Sequence, residues 1–357
     1  MVEKKYIEIL SQQENLTNLQ KQQWQAFVAV HRTLLNEHCD FFSSSYHPVT
    51  KGHGFRELPA RYAMPARMWR HGIQTFLELL RHRLPESLEH MLSFIYDSYS
   101  ITALLLETVL DLLETWIECL GDLARYRLAI EEADTRDREI WLNTARFWYN
   151  QAADLSPNTG RIQHHLAVIA HPNIVQQLFL YSKDLVAATP CKSAETSVLR
   201  FFEPLLEYSE SRYEETESSF VCAAAILFKR ESKVEFEKYS TQFRTTLESY
   251  IARSGRGFKS QGPEYAGALF AMIMDFGNDK NTLWMMILDH QQVLKQRCCE
   301  EQGIDLEKLP KDFVVQGPKF IDQVKVAYWS NSITGSRLPP PSLSLETNLS
   351  SSDEISS

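Results

Sequence analysis

At 357 residues the chain exceeds the usual size of one compact domain, so it should form two domains or one elongated array. Apolar residues make up 44% and aromatics 11%, against 13 Gly and 14 Pro, which excludes a fibrous or wholly disordered chain. The formal net charge of −9 repels polyanions, so any contact with nucleic acid must come from a local basic patch.

The opening residues, MVEKKYIEIL, lead into SQQENLTNLQKQQ and hold no apolar core for a signal peptide or anchor. The longest apolar run, VCAAAILF, is too short to span a bilayer. A soluble, intracellular protein of nucleus or cytoplasm is expected, with no membrane partner. Cys39, Cys119, Cys191, Cys222, Cys298 and Cys299 show no CxxC spacing, so reduced buried thiols are expected rather than disulfides or a zinc site.

Helical periodicity predicts helices over 2–40, 67–83, 86–127, 137–154, 160–170, 173–188, 195–210, 215–250, 263–275 and 280–300. Alternating strand patterns are absent, so the fold class is all-α. Segment 44–66, with its prolines and glycines, reads as a long loop, and 252–263 (ARSGRGFKSQGP) as a second, basic one. From Ser332 onward a Pro- and Ser-rich tail lacks the apolar content to order itself.

Within 86–127 the residues Leu105, Val109, Leu112, Trp116, Cys119 and Leu123 make one apolar stripe. Glu107, Asp111, Glu114, Glu118, Asp122 and Arg125 make the opposite line. Further on, Ala145, Tyr149, Ala152 and Pro157 stand as in the second helix of a tetratricopeptide unit, and Leu120-Gly121 supplies the small residue of its first helix. The intervening EEADTRDRE is longer than that motif's usual turn. A looser second unit has Leu166-Ala167 and ends at Pro190. Such units bury their apolar faces only by stacking, so a superhelix is expected.

The succession ECLGDLARYR, ARFWYNQAADLSPNTGRIQHHLAVIA and LFLYSKDLVAATP over residues 112–190 resembles the DNA/RNA-binding domain shared by the telomerase-associated Ever Shorter Telomeres one protein and the Smg adaptors of nonsense-mediated mRNA decay. A weaker helical likeness extends over 67–330, and ETVLDLLETWIECLGDLARYR is most similar to the fungal branch. The resemblance implies a 14-3-3-like helical region over 1–128, tetratricopeptide-like hairpins over 112–192, further stacked hairpins over 193–330 and a disordered tail over 331–357. It implies an adaptor for phosphorylated or acidic protein segments, with protein partners on the hairpins, RNA or telomeric DNA as alternative ligands, and no cofactor.

In 14-3-3 proteins a lysine, an arginine seven residues on, and an arginine-tyrosine pair grip a phosphoserine. The resemblance places that pair on Arg125 and Tyr126, the other arginine on Arg81, and the lysine on Gln74, where this chain departs from the pattern. Arg70, one turn earlier, is a candidate replacement. A guanidinium fork and a phenol would suit a phosphate dianion, and such a pocket requires Arg81 and Arg125 to share one cleft. The structural alternative pairs Arg125 with Asp122, three residues earlier on the same helix, and makes Tyr126 a core residue.

For nucleic acid the candidates are Arg61, Arg67, Arg70, Arg81 and Arg83 with Tyr62 and Trp69 as stacking rings, and Arg253, Arg256 and Lys259 in the second loop. The adjacent His164 and His165 point about 100° apart on a helix, so they cannot chelate one ion without a third partner. No phosphate-cradling glycine loop, catalytic triad or defensible carboxylate pair is present in the sequence, and no enzymatic activity is expected. An adaptor, a nucleic-acid binder and a scaffold with a degenerate phosphate pocket remain as three readings.

Overall fold

The computed structural model describes residues 21–50, 54–131, 134–208 and 213–278, with scattered residues between 280 and 296. The chain divides into two units, Met1–Val315 and Gln316–Ser357, and every described residue belongs to the first. The expected Ser/Pro-rich tail, Cys298-Cys299, and the outer parts of the expected helices 2–40 and 280–300 lie outside the described residues.

The described residues are all-α, with only an isolated bridge between Thr159 and Thr189. The helices are α1 (Lys21–Ser45), α2 (Leu58–Arg61), α3 (Met64–Arg67), a π-helical turn (Met68–Gln74), α4 (Thr75–Arg81), α5 (Leu88–Thr108), α6 (Leu113–Ile130), α7 (Thr135–Leu155), α8 (Gly160–Ile169), α9 (Ile174–Leu185), α10 (Ala194–Tyr208), α11 (Glu215–Lys229), α12 (Lys233–Ser254) and α13 (Phe258–Ile273). Among these residues no helix is long and apolar enough to cross a membrane.

Along α1 the buried residues Trp24, Val28, His31, Leu35, His38, Phe42 and Ser45 alternate steps of four and three, one stripe of a helix. That stripe packs on α5 and the π-helical turn, and Ile73 of that turn, Phe76, Leu77 and Leu80 of α4 and Met91, Phe94 and Ile95 of α5 complete the core. His31 stacks on Phe76 with ring centroids 4.0 Å apart. Burying each such Phe or Leu stabilises the bundle by about 1.5–3 kcal/mol.

From α6 onward consecutive helices pack as hairpins, α6 on α7, α7 on α8 and α8 on α9. Leu120-Gly121 performs the role its sequence suggests: a Cβ on Gly121 would lie 2.8 Å from the Tyr149 ring, so only glycine lets α6 and α7 approach this closely. Ala145, Tyr149 and Ala152 form the buried stripe of α7. Helix α9 is buried almost all round, because α8, α10, α11 and α13 surround it.

Five expectations need correction. The predicted helix 86–127 is two helices, α5 and α6, broken at Val109 (φ −123°, ψ 72°), so its apolar stripe belongs to both sides of a turn. The predicted helix 215–250 is also two, because Arg230 takes a left-handed conformation (φ 57°) after α11, a place usually held by glycine. Loop 44–66 contains short helical turns whose Pro59 and Pro65 sit in the first turn, where the missing N–H costs nothing. Segment 252–263 is mostly helix, with Gly255 at φ 52° making the corner between α12 and α13. The α6–α7 connection is short, since α7 begins at Thr135 with Asp134 accepting the N–H groups of Arg136 and Asp137.

Candidate anion-binding site

The π-helical turn, α4 and α6 carry the residues expected to grip an anion. The π-helical turn ends at Gln74, beyond which the backbone is regular α-helix. Seven residues then span about two turns, which puts Gln74 and Arg81 on one face. Glu78 stands between them on that face, four residues after one and three before the other.

Glu78 defines the local geometry. Its Oε2 accepts from Arg81, with Nη2 at 2.7 Å and Nε at 3.0 Å. Its Oε1 accepts the Tyr126 hydroxyl at 2.6 Å, tying α4 to α6. Burial and the Glu78 carboxylate hold the Tyr126 phenol well above its ordinary pKa. Gln74 is half-buried, Arg70 is exposed, and the Arg70 carbonyl accepts both the backbone N–H and the hydroxyl of Thr75.

Arg125 is held differently. Its Nη2 donates to Asp122 Oδ1 at 3.2 Å, its Nε donates to the Tyr149 hydroxyl at 3.1 Å, and its guanidinium lies 5.3 Å from the Tyr126 ring centroid. Asp122 Oδ1 also accepts the Tyr149 hydroxyl at 2.7 Å and lies 3.0 Å from His165 Nδ1. Burial pushes the Asp122 carboxyl up, but His165, Arg125 and Tyr149 outweigh it and hold the group at about 2. Burial also opposes the Arg125 charge, and Tyr149 and Asp122 outweigh that in turn, keeping it well above its ordinary value. Asp122, 6% exposed, thus belongs to the interior and not to the solvated acidic line suggested by its spacing.

Neither expected guanidinium head is free: each is engaged by a carboxylate three residues away on its own helix. Tyr126 is both a core residue and a bonded one, at 6% exposure. Sequence reasoning omits Glu78, although its position between Gln74 and Arg81 is enough to reveal it. It also omits His165 as a partner of Asp122, a contact across helices that no local spacing announces.

The nucleic-acid candidates differ in pairing and exposure. Arg61 pairs with Glu57 at 3.3 Å, and Arg67 and Arg83 are likewise engaged. Tyr62 is 55% exposed, whereas Trp69 is half-buried against the bundle core. In the second patch Arg253 pairs with Glu214, while Arg256 and Lys259 are exposed.

No family model matches the chain. Over 190 residues, 47% of this chain and 15% of the relative, it is 25% identical to EST/SMG-like protein 2 of Saccharomyces cerevisiae. Over 87 residues, 24% of this chain and 5% of the relative, it is 31% identical to telomerase-binding protein EST1A of Danio rerio. The matched segments thus span a small part of either relative's length. Within those limits the chain is homologous to EST1-like and SMG-like proteins over about half of its own length.

Proposed function

We propose that the chain is a non-enzymatic interaction scaffold of the EST/SMG-like kind, of fungal type, with a 14-3-3-like amino-terminal arrangement whose anion pocket is filled by its own side chains. Its stacked hairpins hold protein partners, and the names of its relatives point to telomerase-associated or RNA-decay assemblies in nucleus or cytoplasm.

The Glu78 carboxylate carries this reading. It takes the Arg81 fork and the Tyr126 hydroxyl, the donors a phosphate would need, while Asp122 takes Arg125. With Gln74 neutral, two cations face two anions and no net charge is left to attract a dianion. Calorimetric titration with a phosphoserine peptide tests the proposal. The wild-type chain should show no saturable binding, and Glu78→Gln, which releases Arg81 from its ion pair, should create it. Tight wild-type binding that Arg81→Glu abolishes would overturn the reading.

A phosphopeptide adaptor is the second reading, favoured by the 52% exposure of the Arg81 side chain. A surface ion pair of this type contributes about 0–1 kcal/mol, so an incoming phosphate could displace Glu78 at small cost. RNA or telomeric DNA as ligand draws its support from Tyr62, Arg67 and Arg70, all exposed within nine consecutive residues.

A further inference from the structure

The fold supplies what the adjacent histidines lack in sequence, a second and a third partner for His164. Its Nδ1 lies 3.1 Å from Asp184 Oδ2, and a donor atom of Cys191 completes a group whose members all lie within 4.8 Å of one another. The three residues come from α8, from the end of α9 and from the connection between α9 and α10, spaced 20 and 7 apart in the chain. No zinc-motif spacing marks them.

The position of each is built in. Asp184 is 0% exposed, and its Oδ1 accepts the backbone N–H of Cys191 at 2.8 Å, leaving Oδ2 directed at His164. A Cβ on Gly160 would fall 2.3 Å from that Oδ1, so a glycine is required for the carboxylate to sit here. The segment bearing Cys191 is fastened to the start of α8: Gly160 N–H donates to the Thr189 carbonyl at 3.0 Å, and Thr189 N–H to the Asn158 carbonyl at 3.2 Å. His164 lines a cleft of about 400 Å³ and Cys191 another of about 810 Å³.

We propose that His164, Asp184 and Cys191 bind a divalent transition-metal ion, zinc by preference, that fastens the α9–α10 connection to α8. One nitrogen, one carboxylate oxygen and one sulfur suit a borderline-soft cation in tetrahedral coordination, with water as the fourth ligand. Zinc bonds of about 2.0–2.3 Å place tetrahedral donors roughly 3.3–3.7 Å apart, close to the His164–Asp184 spacing. The half-buried Cys191 thiol must swing inward by about 1 Å. The ion takes the Nδ1 lone pair of the neutral ring, whose single proton then sits on Nε2, and the Cys191 thiol releases its proton to solvent. The buried carboxylate, held by the histidine and the Cys191 N–H, gains a full counter-charge.

Cobalt(II), which reports thiolate ligation by its colour, is the probe. The full chain should bind one equivalent, with a sulfur-to-cobalt absorption band that zinc removes, and zinc should raise Tm. Cys191→Ser keeps the backbone N–H that Asp184 uses, so the variant should fold, lose the band and lose the zinc-dependent rise. His164→Gln should weaken zinc affinity by about tenfold or more. A wild-type chain without the band, or a band and Tm rise undiminished in Cys191→Ser, would overturn the proposal.

Discussion

In the bundle of α1, α4 and α5 charges lie at the rim; in the stack built on α6 and α9 they lie inside. The bundle core is a stripe of Trp, Val, Leu, Ile and Phe, and its Arg81–Glu78 pair is half open to solvent. The stack buries Asp122, Lys183, Asp184 and Glu264, each at 6% exposure or less. An exposed pair contributes little and can exchange partners, whereas a buried one fixes the register of the helices around it. The bundle therefore has the exchangeable surface, and the stack has the rigid frame.

The largest expected effect comes from removing a buried charge. Asp122→Ala leaves Arg125, Tyr149 and His165 without their common acceptor and should cost about 3–5 kcal/mol in urea unfolding. If Asp122→Ala costs no more than a surface substitution, the contrast between the two regions fails.

Acid should act on the two regions in opposite directions. Burial lowers the His31 imidazole from its ordinary 6.5 to about 4, so between those values the unfolded chain binds a proton that the folded one refuses. The bundle then loses roughly 3 kcal/mol as pH falls through that window. Burial raises the Glu264 carboxyl from 4.5 to about 7, against the lowering effect of Gln176, so there the folded chain binds the extra proton. The stack gains stability by a similar amount as pH falls from 7 to 4.5. Urea melts at pH 7 and pH 5 should show His31→Phe removing an acid loss and Glu264→Gln removing an acid gain. The same sign of change in both variants would refute the assignment.

Glycines give a smaller, cleaner contrast. Gly121→Ala drives a methyl into the Tyr149 ring at 2.8 Å, backed by packed helices, and should destabilise by about 1–3 kcal/mol. Gly72→Ala meets only Leu35 Cδ2 at 3.3 Å, the end of a flexible side chain. There the helix-forming gain of about 0.5–1 kcal/mol offsets the crowding, and Tm should hardly move.

What the sequence conveys and what it hides follow the range of the interactions. The α7 stripe and the Leu120-Gly121 contact are local patterns, and the three-residue spacing of Asp122 and Arg125 already predicts their ion pair. The breaks at Val109 and Arg230 carry neither glycine nor proline, and tertiary packing sets them. Pro59 and Pro65 mislead because proline stops a helix from within but suits its first turn. Pairings such as Glu118 with Arg161, or Asp184 with His164, join residues far apart in the chain and leave no periodic trace.

A small expected change in stability at Glu78 is the most informative about function. Glu78→Gln keeps an amide oxygen to accept the Tyr126 hydroxyl and gives up only an ion pair whose arginine is half exposed. Unfolding free energy should therefore shift by less than about 1 kcal/mol. The same substitution removes one of the two anions opposing Arg81 and Arg125, so the site acquires a net positive charge. Affinity for a phosphoserine peptide should rise while affinity for the unphosphorylated peptide stays flat, because a charge-assisted fork discriminates by the charge it meets. A gain for both peptides would locate the effect in general surface charge, and a stability loss as large as that of Asp122→Ala would place Glu78 in the frame and not at the rim.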